Sequence, residues 1–162
     1  MDPQLFDTLY RRYYSSLFLY AYSLAHNRAD AEDLTANAFV KALTTFRQGT
    51  LRAWLYTVLR NEWYDLQKRR RREVHLDEEQ LGCLPDDDRV WQSYLQDELL
   101  RRLYRVVNEL PPREREVMLL TIQTDAPDEE LAKILGITAT YVRVLRHRAK
   151  QHILKVFEED SL

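Results

Sequence analysis

Between Pro3 and Ala25 the apolar residues Leu5, Leu9, Tyr13, Leu17, Tyr20 and Leu24 return every three or four positions. That interval matches the turn of an α-helix and does not suit a strand, whose faces alternate every second residue. Little interrupts it along the chain, because 162 residues hold only three glycines and five prolines. So few breakers leave long helices as the expected structure, with Pro3 tolerated at the first helix start. A second helix is predicted over about 31–46, capped by Asp30, with Asp33 in its first turn and Leu34, Ala38, Ala42 and Phe46 inward. A third follows the turn Arg47-Gln48-Gly49-Thr50, which Thr50 can cap. A fourth is predicted over about 90–109, with Trp91, Leu95, Leu99, Leu103, Val106 and Leu110 inward, stopped by Pro111-Pro112. Shorter helices are predicted over about 113–121, 128–135 and 140–158, and no strand or internal repeat is apparent.

The third helix, in "GTLRAWLYTVLRNEWYDLQKRRRREV", has one apolar stripe of Leu51, Trp54, Leu55, Val58, Leu59 and Leu66. Trp54 and Leu55 belong to that stripe and read as core, and Trp63 is ambiguous. Arg52, Tyr56, Arg60, Tyr64 and Lys68 step by four and are expected on the opposite side. Aromatic faces among cations suit unpaired bases, which stack while cations follow the backbone. The run Lys68 to Arg72 is either part of that surface or a solvated helix end.

Charge is unevenly laid out. The chain is net −2, yet residues 47–75 carry eight basic and three acidic side chains, and residues 76–100 carry one and eight. Local fields of this kind matter more for docking than the total. "VHLDEEQLGCLPDDDR" reads as an acidic linker, which divides the chain into 1–73, a linker 74–92, and 93–162. The expected fold is all-α, with two small helical domains joined by that linker.

Several classes are set aside. No run of about twenty apolar residues is present. The N-terminal residues lack a secretory pattern, so no membrane insertion and a cytoplasmic location are expected. Cys83 is the only cysteine, and an acidic neighbourhood opposes the lowered pKa that a redox sensor needs. His26, His75, His147 and His152 are scattered, with no phosphate loop and no nucleophile–base pair. Acid pairs such as Glu32-Asp33 and Glu129-Glu130 read as helix-start charges. No catalytic residue, metal, cofactor or small-molecule substrate is therefore expected, and the chain does not read as an enzyme.

"PDEELAKILGITATYVRVLRHRAKQHI" has the layout of a helix-turn-helix. Leu131, Ala132 and Leu135 form a short apolar face, Gly136 supplies a left-handed helix end, Ile137 plugs the turn and Thr138 can cap the next helix. There Val142, Leu145, Ala149, Ile153 and Val156 point inward, and Arg143, Arg146, His147 and Lys150 are expected opposite. A single helix of this kind fits a major groove. The plain alternative is a solvated basic helix, and His147 has a second reading as an ordinary surface histidine.

On "RADAEDLTANAFVKAL", "LRAWLYTVLRN", "LPPREREVMLL" and "EELAKILGITATYVRVLRHRAK", in that order, the chain resembles the bacterial extracytoplasmic function (ECF) sigma factors of the sigma-70 family. The resemblance implies a factor that binds core RNA polymerase and promoter DNA and is often silenced by an anti-sigma factor. By position, the start-proximal element and its melting fall to Arg47, Gln48, Thr50, Arg52, Tyr56, Arg60, Asn61, Tyr64 and Lys68. The upstream element falls to Thr138, Thr140, Tyr141, Arg143, Val144, His147 and Arg148, with Lys150, Arg113 and Arg115 toward phosphate. Polymerase docking falls to Asp33, Asn37, Val40 and Lys41. Two departures stand out. Thr35-Ala36-Asn37 replaces an apolar residue followed by Gln-Glu, and Leu145-Arg146 replaces Arg-Leu, which moves one cation around the recognition helix. The first motivates an alternative: a sigma-like decoy that binds an anti-sigma factor or polymerase without productive initiation. A plain helix-turn-helix regulator would leave the aromatic-basic helix unexplained.

Overall fold

The computed structural model describes residues 2–73 and 88–160, all of whose regular structure is helical. Cys83, His75 and most of the expected linker 74–92 lie outside the described residues; its last residues, 88–92, are helical. The helices are α1 (Pro3–Ala25), α2 (Arg28–Thr45), α3 (Leu51–Glu73), α4 (Asp88–Tyr94), α5 (Glu98–Asn108), α6 (Pro112–Gln123), α7 (Asp128–Leu135) and α8 (Ala139–Asp160). They fall into two compact units, one reaching Val90 and one beginning at Trp91. The fold is all-α with two domains. No helix among the described residues is long and apolar enough to cross a membrane.

In the first unit α1, α2 and α3 pack on one another. α1 begins at Asp2, whose side chain accepts from the Gln4 amide. Its second half is buried on every side, from Leu17 through Ser23, because α2 and α3 both lie against it. Its first half is not, and Leu5, expected inward, is 51% exposed. There Phe6, Tyr10 and Tyr14 share one neighbour, Phe39 of α2. α2 starts three residues before the predicted start. Its cap is Asn27, which accepts from the Asp30 amide at 3.0 Å, and Asp30 is not the cap. The Asp30 carboxylate is taken instead by Arg70 of α3, in a bidentate pair at 2.7 and 2.9 Å.

In the second unit the predicted fourth helix is broken in two. The Asp97 carboxylate accepts from the amides of Leu99 and Leu100 at 2.8 and 3.2 Å and starts α5 afresh. Leu99, expected inward, stands in the first turn of α5 and is 66% exposed. Trp91 is fully buried with its ring against Tyr104 of α5. Burial pushes the Tyr104 phenol above its ordinary range. α6 and α7 both pack on α8. Gly136 ends α7 with φ at 67°, the left-handed conformation expected of it. Thr138 accepts from the Tyr141 amide at 3.1 Å and starts α8. Val142, Leu145, Ala149 and Ile153 are buried as expected, and Val156 is half-buried.

Candidate nucleic-acid interface

α3 buries Leu55, Tyr56, Leu59 and Trp63. Tyr56 is 1% exposed, with its ring edge-on to Tyr20 of α1 at 5.1 Å. Its expected place among the cations is therefore corrected. Four residues advance about 40° past a full helical turn, so five positions spaced by four sweep about 160°. The row from Arg52 to Lys68 thus spirals from the core side to the solvent side. Arg52 is half-buried, while Tyr64 and Lys68 are exposed. Arg60 lies between them, its guanidinium 4.6 Å from the centre of the Tyr64 ring.

The solvent side of α3 is built from a different set. Trp54, Val58, Asn61, Asp65, Lys68, Arg69 and Arg72 line an open groove of about 700 Å³, with Lys41 and Thr45 of α2 on its far wall and Glu62 between. Trp54 is half-buried at one end of this groove, edge-on to Phe46 at 5.7 Å, so it belongs partly to the surface. Lys41, Lys68, Arg69 and Arg72 thus share the groove with Trp54 and Val58 and with the carboxylates of Glu62 and Asp65. Cations beside an aromatic face are the combination that suits an unpaired strand. Arg70, in the middle of the basic run, is committed to Asp30, whose hydrogen bond raises its pKa further. One member of the run is therefore structural, and Lys68, Arg69, Arg71 and Arg72 are exposed. Arg47, Gln48 and Thr50 are exposed in the turn before α3, and Arg47 also donates to the carbonyls of Phe46 and Thr44 at the end of α2.

Asp33, Asn37, Val40 and Lys41 share the outward side of α2 with Ala36, and Val40 is 58% exposed. Thr35 points the other way: it is fully buried and donates to the Ala31 carbonyl at 2.7 Å. Of the three residues at the departure, only Ala36 and Asn37 reach the surface. A carboxylate nonetheless stands there, because Glu62 of α3 accepts from Asn37 at 3.4 Å and lies 3.8 Å from the Lys41 ammonium.

α8 presents Thr140, Arg143, Val144, His147, Arg148, Lys150 and Gln151 outward, within about 80° of the face centre by helical geometry. Arg146 is not among them. It is 20% exposed and fastened by Asp128 at 2.6 Å and by Thr121 at 3.2 Å. Its expected place beside His147 is corrected, because its neighbours one turn before and after, Val142 and Ala149, are buried and carry it to the inward flank. On the other flank, Arg113 stands 5.8 Å from the Tyr141 ring centre, and both line a cleft with Arg148 and His152. Arg115 is half-buried and donates to the Leu110 carbonyl at 3.1 Å, closing the turn before α6. Part of its guanidinium is thus spent on the fold.

Both units match described families, residues 9–73 to Sigma-70 region 2 and residues 100–153 to Sigma-70, region 4. The chain belongs to the ECF group of the sigma-70 family. The ECF RNA polymerase sigma factor SigE of Mycolicibacterium smegmatis is 30% identical over 158 residues, covering 91% of this chain. This chain spans 59% of that relative's length. The ECF RNA polymerase sigma factor SigM of Bacillus subtilis is 23% identical, with 93% of this chain and 94% of the relative covered. Among solved structures, the sigma factor RpoE of Bartonella quintana, in complex with the anti-sigma factor NepR, matches with a TM-score of 0.72. It is 25% identical, and 96% of this chain and 98% of that one are covered.

The features of these faces that sequence reasoning missed are the Trp54 groove, with Arg69 and Arg72, and Asp128. The groove was legible in principle, because Trp54, Val58, Asn61, Asp65, Lys68 and Arg72 recur at helical spacing. Nothing in the sequence pairs Asp128 with residues fifteen and eighteen positions on.

Proposed function

We propose that this chain is an ECF-type sigma factor that binds core RNA polymerase and directs promoter recognition, melting and transcription initiation. The polymerase carries the chemistry, and the factor works in the cytoplasm where the polymerase is. Asp33, Asn37, Val40 and Lys41 of α2 dock the polymerase. The α3 groove with Tyr64, Arg60 and the Arg47–Thr50 turn holds the unpaired strand. The exposed side of α8 reads the upstream element as duplex, with Arg113 and Lys150 on phosphate and Thr138 setting the helix start. An anti-sigma factor is a further partner in this reading, supported by the complex of the Bartonella sigma factor with an anti-sigma factor.

The observation that carries this reading is that each matched unit, taken by itself, offers a cationic helix side over a buried core: Lys68, Arg69 and Arg72 on α3, and Arg143, Arg148 and Lys150 on α8. Purified chain plus core polymerase is expected to initiate from specific promoters in a runoff assay. Absence of a stable complex with core polymerase at modest salt would overturn it.

The decoy reading is favoured by one observation: Asn37 donates to Glu62, so the polar groups of the docking face are partly satisfied within the unit. Glutamate at 37 beside Glu62 would crowd two carboxylates, so the informative variant is Asn37→Glu with Glu62→Gln. Initiation by that variant and none by the wild type would establish the decoy.

A further inference from the structure

Asp128 opens α7 with its carboxylate 22% exposed between two guanidinium groups of α8. The two bonds differ in kind. Arg146 is short and charge-assisted at 2.6 Å, is tied also to Thr121, and lies on the inward flank of its helix. It cannot reach a duplex without giving up both partners. Arg143 is 3.3 Å from the other carboxylate oxygen and is 56% exposed. That distance is at the long end for a hydrogen bond, so this contact is the weaker and the more easily exchanged. One carboxylate therefore holds a fixed arginine and a movable one.

We propose that Asp128 is a positioning residue for base readout, holding the Arg143 guanidinium beside α8 and releasing it only to a duplex site that offers equally good acceptors. This rests on the reading of α8 as the duplex reader. The physical reason is competition: a negative charge beside the groove-facing arginine competes with isolated phosphates, which penalises wrong sequences more than right ones. The Arg146 hydrogen bond, ahead of its other neighbours, holds the Asp128 carboxyl below its usual range, so the competing charge is present at neutral pH.

The test uses the full chain with core polymerase and a library of duplexes randomised over the upstream segment. Asp128→Asn keeps an acceptor for Arg146 but loses the charge. It is expected to bind unselected duplexes more tightly and to lose about fivefold to tenfold of the preference at the positions that Arg143→Ala flattens. Asp128→Glu is expected to restore most of that preference. A second measurement needs no change at 128. Because Asp128 already offsets its charge, Arg143→Ala should change affinity for unselected duplexes by less than about twofold while flattening the selected positions. Retention of full preference by Asp128→Asn at positions that Arg143→Ala flattens overturns the proposal. So does an equal loss on selected and unselected duplexes for Arg143→Ala. If Arg143→Ala flattens nothing, Arg143 is not a reader and the proposal falls; the reading of α8 as the duplex reader falls only if Thr140→Ala and Arg148→Ala flatten nothing either.

Discussion

α3 and α8 are both long helices with a buried face and a cationic one, but they spend their arginines differently. In α3 the basic residues crowd the last two turns, and one of them, Arg70, is turned back to hold α2 through Asp30. In α8 they are spread over the middle, and one of them, Arg146, is turned back to hold α6 and α7 through Thr121 and Asp128. Each helix thus commits one cation to fixing its own rotation against its neighbours, while Lys68, Arg69 and Arg72 of α3 and Arg148 and Lys150 of α8 stay exposed. The cost of misplacing a surface charge is small, whereas a rotated helix would move every contact on its face at once. The difference lies in the partner each side suits. α3 has an open groove with Trp54 as an aromatic wall, fit for bases out of a stack. α8 is a convex rod with small and short side chains, Thr140 and Val144, at its centre, fit to enter a groove.

The sharpest way to break this comparison is at the tyrosines. Tyr56→Ala is expected to cost about 3–5 kcal/mol in denaturant unfolding, because it empties the contact with Tyr20 in the first unit. Tyr64→Ala should leave stability within about 0.5 kcal/mol. The same Tyr64 change should weaken single-strand capture by about 1–3 kcal/mol, read as promoter opening by permanganate footprinting. The reverse pattern would put the spiral row back on one face.

Next in size are the latches. Arg70→Ala is expected to destabilise the first unit by about 1–2 kcal/mol, since it strands a half-buried carboxylate. At Asp128 the effect is a pH dependence. Its folded-state pKa is depressed, so the stability it lends is fully present above the ordinary carboxylate range and is lost as pH falls through the lowered value. Asp128→Asn should remove that part of the acid limb in thermal melts taken against pH. Smaller still, Lys68→Ala with Arg72→Ala should leave folding unchanged and reduce the salt slope of single-strand binding by about 1.4. Smallest is Leu99→Ala, within about 0.5 kcal/mol, where the inward place expected from the sequence would have demanded several times more.

The helix-turn-helix was nearly all legible from residues. Gly136 and Thr138 act where their backbone chemistry predicts, and the buried set of α8 follows the helical period almost residue by residue. α3 was legible as a helix but not as a set of faces, because spacing by four looks like a stripe and is a spiral. Asp97 shows another limit. Its capping of α5 was written in the chain, but a continuous apolar pattern on both sides concealed it.

What the sequence settled by itself is what depends on neighbours a few positions apart: helix type, most of the ends, the left-handed turn and the two-part charge layout. What only the tertiary structure decided is which cations are spent on the fold and which remain exposed. Asp30 with Arg70 and Asp128 with Arg146 are forty and eighteen positions apart, and no local rule joins them. A guanidinium goes to whichever carboxylate packing brings within reach, and that distance exists only once the helices have docked.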